Sequence, residues 1–125
     1  MAPINKPLQT KSKIWIEDMD GNVVFGTGRL KILRAIKQYG SINSAAKSLK
    51  MGYRAVWARI TATENRLGKK LLIRKSGGAS GGGSQLTPLA ETMIAKYESV
   101  QKDIEQVTDD KFHEALGESL IINSS

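Results

Sequence analysis

The chain has 125 residues, of which 40% are hydrophobic and none is cysteine. This length supports one compact core, and the lack of cysteine excludes disulfides, thiolate metal sites and cysteine nucleophiles. The 19 basic residues outnumber the 12 acidic ones, which favours a polyanionic partner, and no signal peptide or membrane span is evident, so we expect a soluble cytoplasmic protein.

The first predicted element is a two-stranded β-hairpin. Residues 1–12 are polar and contain two prolines, so we expect a flexible arm there. Residues 13–19 are typical of a strand with Ile14 and Ile16 on one face. Asp20-Gly21 tolerates the positive φ angles of a tight turn, and 23–25 has the β-branched and aromatic content of a returning strand.

Three helices separated by minimal turns are predicted next. The first ends at Gly40, the second begins after Ser41, which is a good N-cap, and the third ends at Gly68. A middle helix of barely two turns indicates a helix-turn-helix. The apolar spacing predicts that the inward-facing residues are Leu30, Leu33, Ile36 and Tyr39 in the first helix, Ile42, Ala45, Ala46 and Leu49 in the second, and Tyr53, Val56, Ile60, Glu64 and Leu67 in the third.

A β-wing follows the three helices. Residues 71–75 predict a strand, 76–84 a flexible glycine-rich tip, and Gln85-Leu86 the returning strand, although an unstructured linker is the alternative for the glycine-rich run. A phosphate-binding loop of the Walker type is excluded, because Gly83 is followed by Ser84 and Gln85 rather than by lysine and a hydroxyl residue.

The last predicted element is a long helix that begins at Thr87-Pro88. Its apolar residues are separated by 4, 3, 4 and 3 positions, namely Met93, Tyr97, Val100, Ile104 and Val107. This narrow seam is typical of pairing with a second helix, and packing on its own domain is the alternative. We expect a further short helix over 109–116 and a frayed tail over 118–125.

Little in the chain suggests catalysis. The only histidine, His113, lies in an acidic region without a serine, an acid and an oxyanion donor arranged near it in sequence. We therefore expect no enzyme, no cofactor and no metal site.

The third helix has the two faces that a DNA-reading helix requires. With Val56 and Ile60 on the inner side, the outer side consists of Arg54, Ala55, Ala58, Thr61 and Ala62, and Trp57 and Arg59 lie on the flanks. Small side chains allow a helix to approach base edges, and arginine can pair with guanine. Arg54 is the best candidate, since recognition helices commonly meet bases in their first turn. The alternatives are helix packing for the alanines and a solvated charged face for the arginines.

Basic residues surround this helix in the sequence. From Arg29 to Lys75 there are 13 of them against one acid, Glu64, whereas 101–125 holds six acids and two lysines. Those expected to neutralise phosphates are Lys37, Lys47, Lys50, Lys69, Lys70, Arg74 and Lys75.

From about residue 13 to 107 the sequence resembles the N-terminal DNA-binding domain of the ModE family, the molybdate-responsive winged-helix transcription regulators. The resemblance rests on Gly40-Ser41-Ile42, on Ala45-Ala46-Lys47, on 52–57 and on a wing that runs from Arg74 through two glycine clusters to Leu86-Thr87. A LysR-type regulator shares the helices but is not expected to carry this wing.

The resemblance implies a mainly helical winged helix-turn-helix with an N-terminal β-hairpin and a long C-terminal dimerisation helix, spanning 13–117. It further implies a homodimer on a two-fold operator of double-stranded DNA and a role in molybdenum homeostasis. Gly52 stands where the family usually has a capping serine, so we expect that cap to rest on backbone alone. The family's molybdate-binding domains are expected to be missing, so oxyanion sensing is not implied.

These inferences define two sets of site residues and two rival functions. The expected DNA-binding residues are Ser41, Ser44, Lys47, Lys50, Tyr53, Arg54, Ala55, Trp57, Ala58, Arg59, Thr61, Arg74, Lys75, Gly77 and Gly78. The expected dimerisation residues are Leu30, Leu33, Met93, Tyr97, Val100, Ile104 and Val107. The rivals are a winged helix that docks a protein partner and a small oxyanion-binding protein that uses the amides of 76–84.

Overall fold

A computed structural model of the chain describes residues 7–78 and 81–120. In chain order its elements are β1 (Ile16–Glu17), β2 (Val23–Phe25), α1 (Thr27–Tyr39), α2 (Ile42–Ser48), α3 (Tyr53–Leu67), β3 (Leu72–Gly78), β4 (Gly81–Leu86) and α4 (Pro88–Leu116). β1 pairs with β2 and β3 with β4, both antiparallel. The mainly helical winged helix-turn-helix is thereby confirmed.

The chain divides into two compact units. Residues 15–96 form the first, which contains the hairpin, α1 to α3, the wing and the beginning of α4. The described residues of the second are 7–14 and 97–120. The expected domain limits of 13–117 remain a prediction.

The β1–β2 hairpin is organised by Asp18. One oxygen of its carboxylate, Oδ1, accepts hydrogen bonds from the backbone N–H groups of Asp20 and Asn22, both at 2.9 Å, and Gly21 has a φ of +85°. Hydrogen bonds from the backbone and side chain of Asn22 are the main reason that the pKa of Asp18 is lowered. The predicted turn is confirmed.

The first strand is shorter than predicted, and Ile16 does not face a core. β1 has two residues instead of seven, and the Ile16 side chain is exposed. The register with β2 shifts between Ile16 and Glu17, which interrupts the regular alternation of inward and outward side chains on which the prediction depended.

The core of the first unit lies among α1, α2, α3 and the strands β2 and β3. Its largest fully buried side chains are Phe25, Ile32, Leu33, Ile36, Val56, Leu71 and Thr63. The predicted helix ends are confirmed, because Gly40 and Gly68 close α1 and α3 with φ angles of +81° and +67°. The predicted cap of α2 is also confirmed, since the Ser41 Oγ accepts the N–H of Ser44 at 3.0 Å.

Burial differs from the prediction at three helical positions. Tyr39 and Tyr53 are exposed, because each is a terminal residue of its helix. Thr63 is buried instead and donates its hydroxyl to the carbonyl of Val24 at 2.6 Å. Leu33 is 0% exposed, which confirms its predicted inward-facing position, so the expectation that it also contacts a second chain is wrong.

The glycine-rich run belongs to the paired strands of the wing. The ladder joins Leu72 to Leu86 and extends to Gly78 opposite Gly81. The predicted flexible tip over 76–84 and the alternative of an unstructured linker are therefore wrong, apart from residues 79–80, which lie outside the described part of the chain. Glycine can extend the ladder because strand pairing uses only backbone N–H and C=O groups.

The base of the wing is attached to the end of α1. The Ser84 N–H donates to the Gly40 carbonyl at 2.8 Å. A Cβ atom added to Gly83 would lie 2.8 Å from the same oxygen, which is closer than real Cβ contacts come. Glycine at 83 is thus required by the close approach of the two backbones.

α4 is one continuous helix of 29 residues, so the separate helix expected over 109–116 is wrong. No glycine or proline interrupts the sequence between Pro88 and Gly117, so nothing local ends the helix earlier. The Thr87 hydroxyl oxygen accepts the Ala90 N–H at 3.2 Å, which confirms the predicted start. None of the helices in the described residues has the length and apolar character of a membrane span.

In the second unit, residues 12–14 are bound along α4. The Gln101 side chain accepts the Ile14 N–H at 3.1 Å and donates to the Ser12 carbonyl at 3.0 Å. The Tyr97 hydroxyl donates to the Ile14 carbonyl at 2.9 Å. The predicted flexible arm therefore ends before Ser12; residues 1–6 of that arm and 121–125 of the predicted tail lie outside the described residues.

Candidate nucleic-acid interface

α2 and α3 form the predicted helix-turn-helix. The turn between them contains Lys50, the only described residue other than glycine with a positive φ, at 57°. Gly52 is the N-cap of α3 and makes no side-chain hydrogen bond there, as expected for a backbone-only cap. The first turn of α3 also lacks an acidic residue, so nothing negative opposes a phosphate approaching this end.

α3 has an inner and an outer face. Val56 and Ile60 are buried, as predicted. On the other side Arg54 and Ala58 are exposed, Ala55, Thr61 and Ala62 are half-buried, and Arg59 is exposed on the flank. Because the exposed residue at the centre of this face, Ala58, is small, the face can come close to a groove floor. Contact with DNA remains a prediction for these residues.

Trp57 lies on the surface beside this face. Its side chain is 45% exposed, and it lines a cavity of about 310 Å³ with Thr61, Leu72 and Arg74. The core side of this turn is occupied by Val56 and Ile60, in agreement with the flank position predicted for Trp57.

The wing and the beginning of α3 are brought together. The Tyr53 hydroxyl lies 3.4 Å from Arg74 Nη1, within reach of a weak hydrogen bond. Lys75, the next residue of β3, is exposed. The fold therefore places two predicted DNA-binding residues of the wing strand near the end of α3 that carries Arg54.

The predicted phosphate-binding cations differ in how available they are. Lys37 pairs with Glu91 at 2.8 Å, and Lys70 lies 3.9 Å from Glu64, so a phosphate has to compete for both. The other five have no carboxylate within ion-pair distance in residues 7–78 and 81–120, and they are Lys47, Lys50, Lys69, Arg74 and Lys75.

The one acid of the basic region has a structural role. One carboxylate oxygen of Glu64 accepts the backbone N–H groups of Leu71 and Leu72, at 2.7 and 3.3 Å, and thereby attaches α3 to the start of the wing. Its side chain is only 10% exposed. The prediction placed Glu64 on the inner side of α3 but did not identify these partners.

Gly77 and Gly78, expected to contact DNA, lie in the outer part of β3. The pairing of Gly78 with Gly81 and the hydrogen bond from Ser84 to Gly40 engage backbone groups of this run. Backbone N–H groups that are engaged in this way are not available to an anion, which counts against the rival hypothesis of oxyanion binding by the amides of 76–84. In the described part of the chain, no group of three His, Asp or Glu side chains is placed to hold a metal ion.

Two arginines outside the predicted set lie next to the interface. Arg66 donates to the Val23 carbonyl and lies 4.0 Å from the Asp18 carboxylate. Arg29, in the first turn of α1, has a buried Nε atom without a hydrogen-bond partner. Burial, followed by the charges of Arg59 and Arg66, lowers the pKa of Arg29. No sequence signal joins Arg29 to α3, because only the folded chain brings the two helices together.

The seam along α4 divides into a buried and an exposed part. Tyr97 is 8% exposed and bound to Ile14, so the expectation that it contacts a second chain is wrong. Val100, Ile104 and Val107 are 48%, 37% and 52% exposed and form a stripe, while Leu30 and Met93 are half-buried. A stripe of this kind is available to a second helix.

Comparison with known proteins identifies relatives. Residues 27–91 match the family described as "Bacterial regulatory helix-turn-helix protein, lysR family". The chain is 34% identical over 101 residues to "Molybdenum transport protein ModE" of Azotobacter vinelandii, covering 81% of this chain and 37% of that protein. It is 35% identical over 96 residues to "Transcriptional regulator ModE" of Haemophilus influenzae, covering 77% of this chain and 36% of that protein. The chain thus spans little more than a third of these relatives.

Solved structures share the fold. The crystal structure of the CbnR DNA-binding domain in complex with DNA has a TM-score of 0.55 and 22% identity, covering 73% of this chain and 99% of that chain. Full-length CbnR, a LysR family transcriptional regulator, has a TM-score of 0.52 and 21% identity, covering 71% of this chain and 29% of that chain. At this identity the similarity establishes the winged helix-turn-helix fold.

Proposed function

Because the chain belongs to the lysR family of bacterial regulatory helix-turn-helix proteins and carries a DNA-binding domain of the ModE type, we propose that it binds a two-fold operator as a homodimer and regulates transcription. Its relatives are DNA-binding regulators and not enzymes. A protein with this role works in the cytoplasm, where bacterial DNA lies. We further propose that the regulated genes serve the uptake and use of molybdate or tungstate, and the name of the Azotobacter vinelandii relative, "Molybdenum transport protein ModE", supports a role connected with molybdenum.

The observation that carries the DNA-binding proposal is the outer face of α3. Arg54 is exposed in the first turn, and the exposed Ala58 on the next turn is too small to hold the helix away from a groove. Around it, the five cations without a carboxylate partner in the described residues can neutralise phosphates of both strands. In this proposal the outer face of α3 recognises bases, and the surrounding cations position the helix by binding phosphates.

The dimer proposal rests on the exposed stripe of α4, formed by Val100, Ile104 and Val107. Pairing two copies through this stripe would bury apolar surface that is otherwise in contact with water. Dimeric helix-turn-helix proteins present two recognition helices to successive half-sites of a symmetric operator, and the proposed dimer would use its two α3 helices in the same role.

The proposed function is tested by the salt dependence of DNA affinity. Selection of bound fragments from the source genome supplies the operator, and fluorescence anisotropy then measures affinity for it and for a random duplex between about 50 and 200 mM salt. We expect a log–log slope of about −0.9 for each phosphate neutralised, and tighter binding to the operator at every salt concentration.

Two results would contradict the proposal. A flat salt dependence would remove the role of the basic residues and favour the rival function, a winged helix that docks a protein partner. Equal affinity for the operator and the random duplex would leave a basic protein without sequence recognition.

A further inference from the structure

Three elements meet at the beginning of α1. β2 runs along α3, since the carbonyl of Val23 accepts from Arg66 and the carbonyl of Val24 accepts from Thr63. α1 begins two residues after β2, at Thr27. From Val23 to Val24 the bonded partner changes from Arg66 to Thr63, so the chain that leads from β2 to α1 runs toward the part of α3 that carries Arg59.

The side of α3 that faces β2 is strongly basic. Arg59, Thr63 and Arg66 are four and three residues apart, so they share one side of the helix. α1 contributes Arg29 from its first turn. Of the three arginines, only Arg66 has a carboxylate within ion-pair distance in the described residues, and that one is 4.0 Å away.

One donor of the half-buried Arg29 side chain has no partner. Its Nε atom is buried and makes no hydrogen bond in the structure. A buried donor left unsatisfied costs free energy, and an ion is one of the few explanations for such a group in a folded protein. The pKa of Arg29 is lowered, first by burial and then by Arg59 and Arg66, so its surroundings disfavour its own charge. A bound anion would accept a hydrogen bond from Nε and would also stabilise the positive charge of Arg29.

The N-terminus of α1 also favours the binding of an anion. Its N-cap, Gly26, provides no side-chain acceptor, and the first turn contains no acidic residue. The beginning of a helix carries a partial positive charge that nothing in this turn offsets. The backbone therefore reinforces the positive field of the guanidinium groups.

We propose that Arg29 and Arg59 form a binding site for one tetrahedral oxyanion, and that in the DNA complex this anion is a backbone phosphate beside the groove entered by α3. The proposal rests on the proposed function and extends its interface from α3 and the wing to α1. Arg66, tied to Val23 and close to Asp18, adds positive charge but is not one of the two binding groups.

The first experiment measures the salt dependence of duplex affinity for the full chain and for Arg29→Gln. Losing one phosphate contact should make the log–log slope less negative by about 0.9, so the affinity advantage of the unchanged chain should shrink about 3.5-fold between roughly 50 and 200 mM salt. Arg59→Gln should make the slope less negative by the same amount. This second variant still tests the proposal if Arg29→Gln does not fold.

The matched control is Lys31→Gln. Lys31 is exposed on α1, two residues from Arg29 and therefore on another side of the helix, and its replacement removes the same unit of charge. The salt slope of this variant should equal that of the unchanged chain. If Lys31→Gln lowers the slope as much as Arg29→Gln, the effect is one of net charge and the proposal is overturned.

The second experiment distinguishes a DNA phosphate from a free oxyanion. Melting temperatures are measured without DNA in inorganic phosphate and in chloride at equal ionic strength, since a ligand that binds only the folded state raises the melting temperature. Stabilisation by phosphate that Arg29→Gln abolishes supports the site. If Arg29→Gln abolishes the stabilisation by phosphate but leaves the salt slope of duplex affinity unchanged, the anion is a free oxyanion and the DNA part of the proposal is wrong.

Two further outcomes separate this proposal from the proposed function. If neither the slope nor the response to phosphate depends on Arg29 or Arg59, the site does not exist, whatever DNA the chain binds. If the unchanged chain binds no duplex, the proposed function fails, whereas the phosphate melting comparison still decides whether the oxyanion site exists.

Discussion

Arg54 is surrounded on the exposed side of α3 by side chains much smaller than itself. Ala58 lies one turn further along, and Ala55 is half-buried beside it. An arginine placed in this way can extend to a base edge, whereas the cations of the wing and of α2 are set around the helix and suit phosphates. The two kinds of residue should therefore respond differently to the sequence of the DNA.

Replacing Arg54 with alanine should reduce affinity for the operator by roughly 1–3 kcal/mol and affinity for random DNA by far less, because a bidentate guanine contact discriminates between bases. Both duplexes are measured by anisotropy at one salt concentration. Lys75→Ala is the matched control and should weaken the two duplexes equally. Equal losses for Arg54→Ala would assign Arg54 to phosphate binding and leave base recognition to Thr61 or the wing.

The wing is positioned by backbone contacts as well as by its own ladder. Ser84 donates to the carbonyl at the end of α1, Glu64 accepts two N–H groups at the start of β3, and the Thr87 hydroxyl donates to the Lys70 carbonyl at 3.0 Å. Contacts of this kind hold the strand that carries Arg74 and Lys75 near α3. The orientation of the wing is thus set at its base.

Gly83→Ala should lower the melting temperature, because the new Cβ atom would lie 2.8 Å from the Gly40 oxygen and the two backbones must separate. DNA affinity should fall with it, since the Ser84–Gly40 hydrogen bond fixes the wing. The matched control is Gly28→Ala, where nothing lies within 4 Å of the added atom. That change in α1 should leave stability unchanged or raise it by up to about 1 kcal/mol. Unaltered stability in Gly83→Ala would show that the wing can shift without cost.

Opposite charges are segregated along the whole molecule. The basic residues are concentrated between 29 and 75, within the unit 15–96, whereas the sequence from 101 onward is acidic. DNA is therefore attracted to the unit that contains α3 and the wing, and repelled from the far part of α4. An acidic helix with an exposed apolar stripe is suited to pairing with a copy of itself.

Val100→Asp should convert the proposed dimer to monomers, because a carboxylate in a buried apolar seam is costly when unpaired. Sedimentation at several protein concentrations measures the change. Lys102→Asp, on another side of the same helix, introduces the same carboxylate and should leave the dimer intact. A monomer before any substitution would contradict the dimer, and a dimer that survives Val100→Asp would place the contact elsewhere.

The order of the elements and most of their ends followed from the sequence by itself. Gly40, Gly68 and the Ser41 cap were predictable because a positive φ or a capping hydroxyl depends on residues within one turn. The two faces of α3 were largely predictable from helical periodicity, and the resemblance to the ModE family is confirmed by relatives of 34% and 35% identity. The wing does not separate ModE from LysR-type regulators as expected, because the lysR family match over 27–91 includes β3 and β4. The continuity of α4 past residue 109 was missed, although the sequence contains no residue that would end the helix there.

Only the tertiary structure decided which distant groups meet. It paired the glycines of the wing, placed Gly83 against Gly40, directed the Glu64 carboxylate to two amides and left Trp57 near the surface. It also brought Arg29 of α1 into the field of Arg59 on α3. Local propensities act over a few residues, whereas burial, like-charge proximity and backbone approach depend on segments that become neighbours only when the chain folds.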